Sequence, residues 1–298
     1  MPDRLITLPF PIDVRATLWG VRRGRHDPSH RFGPDGIWRA SRTPAGPATV
    51  RLVVADDQVT ATAWGEGAEA ALDAVPELIG CHDDDGGFSP DHGVLARLWR
   101  DFHQVRVPRS GAVSATLIQV VLEQRVTTFE ARRAQTQIAR RWGEAAPGPI
   151  DLRLPADPRV LAGIGYYDLH VVGVEKKRAD TVRRVAANAH RLDALVDVPV
   201  PEAHRRLQEI VGVGPWSAAE TALVALGDTD AVPVGDLHLP SQVTYALTGT
   251  PVDDDDAMLE VLEPYAGQRG RVIRLIMAAG IQAPRRTPRH APRDIRSD

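Results

Sequence analysis

Residues 207–218, Leu-Gln-Glu-Ile-Val-Gly-Val-Gly-Pro-Trp-Ser-Ala, constrain this 298-residue chain more than any other stretch. The order reads as helix end, tight turn, new helix. Gly212 and Gly214 tolerate the positive φ values that a sharp turn needs, and they leave the backbone amides bare. Pro215 cannot extend the preceding helix but suits the first turn of the next one. Bare amides at a helix N-terminus form a site for a phosphate group. Such contacts hold a nucleic-acid backbone without reading its sequence. Leu207, Ile210 and Val213 are spaced to anchor the turn in a core, and residues 218–226 are small and apolar, as a buried helix requires. Taken alone, the Gly-x-Gly turn also fits an ordinary connection between two helices.

The next informative segment is Ala-Val-Pro-Val-Gly-Asp-Leu-His-Leu at 231–239, an apolar run broken by one carboxylate, Asp236. Two roles fit that carboxylate. It can cap the helix that follows, or it can stabilise a developing positive charge at the edge of an apolar wall.

The Gly212-Val213-Gly214-Pro215 turn, Trp216-Ser217 after it and Asp236 twenty residues on resemble the helix-hairpin-helix DNA glycosylases. The resemblance implies that the hairpin (Gly212, Val213, Gly214, Pro215, with Ser217) grips the DNA backbone and that Asp236 is the catalytic carboxylate. It further implies a monovalent cation, sodium or potassium, held by main-chain carbonyls near Gln208, Ile210 and Val213, with no other cofactor. Bifunctional members carry a lysine where this chain has Trp216, and an indole cannot form a Schiff base. Its flat face suits stacking on an electron-poor, cationic purine. The chain is therefore most similar to the 3-methyladenine DNA glycosylase II branch, which is monofunctional and uses water. A plain core position is the other role open to Trp216.

The same resemblance places the residues that plug the gap left by a flipped base at 121–127. There Arg125 stands where many relatives carry an apolar wedge, and Gln124 is its polar companion in the minor groove. A simple phosphate contact is the alternative for Arg125. For the base pocket, Tyr265 is the candidate partner of Trp216, with Trp19 and Tyr166-Tyr167 behind it. Glu220 stands where some relatives have a pocket aromatic. It could bond a base edge, attract a cationic purine or pair with an arginine. His170 either lines the cleft or is a satisfied core histidine.

The formal net charge of -3 is unusual for a DNA-binding chain, but the charge is unevenly spread. Residues 175–191 carry six Lys/Arg against two carboxylates, and residues 266–298 carry eight arginines against two. That suffices for salt-sensitive phosphate contacts. The acidic runs Asp83–Asp85 and Asp253–Asp256 read as solvated loops. A single cysteine, Cys81, excludes an internal disulfide and a four-cysteine iron–sulfur cluster. No leader-like or membrane-length apolar run is present, so the expectation is a soluble, cytoplasmic, bacterial monomer that binds damaged double-stranded DNA.

The pattern changes near residue 95. Residues 48–55 and 59–64 alternate with β-branched residues around Asp56-Asp57, which predicts a hairpin; 37–40 reads as a third strand and 68–78 as a short helix. Residues 81–92 read as a linker. Helical spacing follows over 115–142, with a break near Thr127-Thr128, and over 155–161, 177–195, 257–265 and 271–280. The expected fold is α+β: an N-terminal antiparallel-sheet domain at 1–95, a mainly α-helical two-lobed glycosylase domain at 96–283, and an Arg/Pro-rich arm at 284–298. The rival functions are a glycosylase of this fold for a deaminated or bulky lesion, and a non-catalytic DNA-binding protein.

Overall fold

The computed structural model describes residues 1–91 and 93–284. The arm expected at 284–298 lies outside the described residues from 285 onward. The chain opens with β1 (Asp3–Thr7), α1 (Val14–Trp19), β2 (His30–Gly33), β3 (Gly36–Thr43), β4 (Gly46–Ala55), β5 (Gln58–Trp64), α2 (Ala68–Asp73) and α3 (Val75–Leu78). The strands form one antiparallel sheet in the order β1-β5-β4-β3-β2. Period-two patterning explains it: Val59, Ala61 and Ala63 of β5 are buried against the helices, while Thr60 points to solvent. The turn between β4 and β5 is Asp56-Asp57, with Asp56 at φ 52°, a conformation aspartate tolerates. The helix expected at 68–78 is in fact two. Pro76 lacks an amide proton, so it sits in the first turn of a new helix.

The helical part comprises α4 (Gly93–Phe102), α5 (Val113–Glu123), α6 (Thr128–Trp142), α7 (Pro158–Gly163), α8 (Tyr166–Val171), α9 (Lys176–Ala187), α10 (Ala189–Asp193), α11 (Val200–Leu207), α12 (Pro215–Thr221), α13 (Leu239–Thr248), α14 (Asp255–Leu262) and α15 (Arg269–Ala278). After α12 the helix widens into a π turn at Ala222–Leu226. Two apolar cores result. One joins α5 through α12 around Leu117, Val121, Val182, Leu207 and Ala218. The other joins α4 to α13, α14 and α15 around Leu95, Val243, Met258 and Ile276. The sheet has its own core, which reaches the helical part through Val224 of the π turn.

Two expectations about acidic runs are corrected. Asp83 is buried, accepts from Arg271 at 2.8 and 2.6 Å, and accepts from Val107 N at 2.9 Å. It joins the segment after the sheet to α15, because two fully buried charges are tolerable only as a pair. Asp254 caps α14 at 3.0 Å, and Asp255 accepts from Gly235 N at 2.9 Å. Among the described residues no helix is long and apolar enough to cross a membrane.

Candidate active site

The segment between the two helical cores carries Asp236, and the turn between α11 and α12 faces it. Gly212 takes φ +101°, and a Cβ there would meet Thr181 Oγ1 at 2.2 Å. Glycine is therefore obligatory at this point of the hairpin. Val213 N donates to Ile210 O at 2.9 Å and closes the turn. Gly214 caps α12 with no side-chain bond and has open space where a Cβ would stand. The Trp216 and Ser217 amides find no acceptor among the described residues. They are the orphan N–H groups of a helix start. The Gln208 and Val213 carbonyls likewise accept nothing from the described residues, and the Ile210 carbonyl accepts only Val213 N. Neutral, uncommitted carbonyl oxygens suit a hard monovalent cation.

Asp236 takes the capping role, and both of its oxygens are held. One oxygen accepts from His238 N at 2.8 Å and Leu239 N at 2.9 Å, at the start of α13. The other accepts from the Trp216 indole N–H at 2.9 Å. Three donors thus fix the carboxylate's orientation, and the helix start favours its negative charge. Gly235, at φ +90°, lets the chain turn into this position, and its amide is held by Asp255. Sequence reading missed Asp255, because a bond spanning twenty residues leaves no local pattern.

The turn between α5 and α6 joins the same site. Gln124 donates to Gly212 O at 3.0 Å and to Ser217 Oγ at 2.8 Å. Next to it, Arg125 is exposed at φ +54°, a strained conformation for a side-chain-bearing residue. A reciprocal capping box between Thr127 and Glu130 holds the start of α6 behind it.

Glu220 is half-buried one turn beyond Trp216. Burial pushes its carboxyl up to about 7; Arg23 opposes the rise, Glu123 and Asp236 add to it, and Arg274 opposes it. Arg23, held by Gln119 at 3.2 Å and Glu123 at 3.3 Å, is a second group that sequence reading missed. It lies about a hundred residues from its partners, so no motif marks it.

Among the described residues, none of the remaining pocket candidates makes a ring contact with Trp216 or a hydrogen bond with Asp236. Tyr265 packs edge-on against Phe88, at 6.3 Å between ring centres, within the second helical core. Trp19 is 59% exposed and meets Phe32 at 5.9 Å, with Arg22 over its ring. His170 Nδ1 lies 3.1 Å from Tyr166 Oη, and Tyr166 rests against Tyr167. Trp216 makes no ring contact with any described aromatic residue.

No family model matches the chain. Over 227 residues it is 29% identical to a Mycobacterium tuberculosis protein named as a bifunctional transcriptional activator and DNA repair enzyme, AlkA. The match covers 74% of this chain and 43% of that one. It is 27% identical over 115 residues to Bacillus subtilis YfjP, named for DNA-3-methyladenine glycosylase activity, covering 36% and 40%. The chain thus spans less than half the length of the curated relatives it matches. Among solved structures, a 3-methyladenine DNA glycosylase from Archaeoglobus fulgidus superposes with a TM-score of 0.76 at 16% identity, covering 92% and 97% of the two chains. A Clostridium acetobutylicum 8-oxoguanine glycosylase/lyase, solved with double-stranded DNA, gives 0.71 at 12% identity, covering 91% and 92%. A Gly-Val-Gly-Pro hairpin facing a capped aspartate, on an architecture shared with these solved structures, together with the similarity to AlkA and YfjP, supports the helix-hairpin-helix DNA glycosylase superfamily for this chain.

Proposed function

We propose that the chain is a monofunctional DNA glycosylase that removes alkylated purines, of the 3-methyladenine and 7-methylguanine type, from double-stranded DNA. The observation that carries this reading is the bond from Trp216 Nε1 to Asp236 at 2.9 Å. It ties a flat aromatic face and an oriented carboxylate together at the site where the lyase members hold their amine.

Each part of the site has a role in this proposal. The bare amides of the hairpin hold a phosphate beside the lesion. The main-chain carbonyls of Gln208, Ile210 and Val213 would hold a monovalent cation, which would supply positive charge toward that phosphate. Gln124 and Arg125 enter the stack when the base leaves it. A purine alkylated at N3 or N7 is already cationic, so its bond to the sugar breaks without strong protonation. Asp236 then stabilises the positive sugar and takes the proton of the attacking water. The free base and an intact strand with an abasic site result.

Methylated duplex DNA tests the proposal. Free 3-methyladenine or 7-methylguanine should appear without strand cleavage, and borohydride should trap no protein–DNA adduct. A trapped adduct or a nicked strand would overturn the water mechanism. Absence of both bases would overturn the substrate class.

A further inference from the structure

Glu220 and Trp216 leave α12 on the same face, four residues apart. Charged groups face Glu220 from four other segments: Arg23 between α1 and β2, Glu123 at the end of α5, Asp236 before α13, and Arg274 on α15. Two guanidiniums and two carboxylates balance each other. An ionised Glu220 would add an uncompensated charge to this half-buried group; a protonated one adds none.

The hydrogen bonds leave the Glu220 carboxyl uncommitted. Arg23 is committed to Gln119 and Glu123, and Arg274 to Thr17 O at 3.3 Å. Glu220 makes no hydrogen bond or ion pair with any described residue. Arg23 Nη2 and Arg274 Nε are buried without an acceptor. The N7 edge of a purine, with O6 in a 6-oxopurine, would supply an acceptor for the proton of a neutral Glu220 carboxyl.

We propose that Glu220 is a second catalytic carboxyl, a general acid that protonates a neutral purine as it leaves. The inference rests on the reading above that the site removes purines with Asp236 at the sugar. Glu220 gives its proton to a ring nitrogen of the base while the C1′–N9 bond breaks and its electron pair stays with the base. Water adds to C1′ and loses its proton to Asp236. The base departs neutral, Glu220 is left ionised and Asp236 protonated, and solvent exchange resets both. A carboxyl raised to about 7 is well matched to this task. Cationic alkylpurines carry their activation already and need no such proton.

The test compares two duplexes in single-turnover assays across about pH 5.5–8.5: one with a single deoxyinosine, whose base is neutral, and one with 7-methylguanine. In wild type, hypoxanthine release should stay level below about pH 7 and fall about tenfold per unit above it. Glu220→Gln should lose about 10²–10⁴-fold at low pH and lose the inflection. Glu220→Asp should restore part of the rate together with the inflection. The loss on 7-methylguanine should be at least about tenfold smaller than the loss on hypoxanthine in either variant.

Melting provides the folding control. A carboxyl raised in the folded state weakens the fold as pH climbs from its ordinary value of about 4.3 to about 7. Glu220→Gln should therefore melt at or above wild type at pH 8. A lower melting temperature at every pH would make Glu220 a structural partner of the arginines and overturn the proposal. Equal losses on both duplexes would overturn it too, as would wild type that releases 7-methylguanine but no hypoxanthine. Release of hypoxanthine alone, lost in Glu220→Gln, would support Glu220 as the acid while overturning the alkylpurine reading. Release of neither base would overturn both.

Discussion

Trp216 has two functions in this account, and substitution separates them. Its ring offers a stacking face, and its N–H donates to Asp236. Trp216→Phe keeps a ring and removes the donor. A hydrogen bond to a charged group contributes roughly 1.5–3 kcal/mol, so kcat should fall about tenfold to a hundredfold with KM nearly unchanged. Single-turnover rates at saturating DNA check this; an equal rise in KM would assign Trp216 to binding alone. Asp236 has a plain structural role that supports the catalytic one proposed for it. Its contacts to His238 N and Leu239 N make it a helix cap, and that cap is what aims its other oxygen. The sequence marks Asp236 through its spacing from the hairpin. It leaves no mark of Asp255, which anchors the Gly235 amide from twenty residues away.

At the scale of the element, the hairpin predicts opposite outcomes for its two glycines. Gly212→Ala forces a side chain into Thr181 at positive φ and should cost about 1–3 kcal/mol of stability. Gly214→Ala meets open space at an ordinary φ, so the melting temperature should hold while affinity for DNA falls. Thermal melts beside abasic-duplex binding distinguish the two; equal stability losses would contradict the assignment of Gly214 to the phosphate. The α5–α6 turn was legible in outline, since the break at Thr127-Thr128 is where the capping box forms. Its attachment to the hairpin through Gln124 was not, because that bond joins residues 88 positions apart. The short α8 and strands β1 and β2 also escaped sequence reading. Each is only four to six residues long, too short for a periodic pattern to stand out.

At the scale of the whole molecule, the site lies on the connection between two helical cores, so anything that loosens their arrangement disturbs Asp236. The buried pair of Arg271 with Asp83 ties α15 to the segment that follows the sheet. Asp83→Asn leaves the guanidinium without a compensating charge and should cost about 3–5 kcal/mol in denaturant unfolding; a loss under about 1 kcal/mol would contradict the pair's structural role. In sequence a run of three acids resembles a solvated loop, and the arginine that buries one of them stands 188 positions away. The basic stretch at 175–191, by contrast, was legible despite the weakly negative total charge, and it forms α9 and the start of α10. Exposed Lys177 and Arg184 stand on α9 beside the hairpin, where Arg184 reaches Val211 O. Lys177→Ala should weaken binding to damaged and undamaged duplexes alike and lower the salt slope by about one.

The central claim is that Asp236 performs chemistry behind the hairpin, and base release from methylated duplex DNA by wild type and Asp236→Asn tests it most directly. Wild type should release 3-methyladenine or 7-methylguanine. Asp236→Asn, nearly isosteric, should release it about 10²–10⁴-fold more slowly while binding abasic duplex with similar affinity. Release by Asp236→Asn at the wild-type rate would contradict the account.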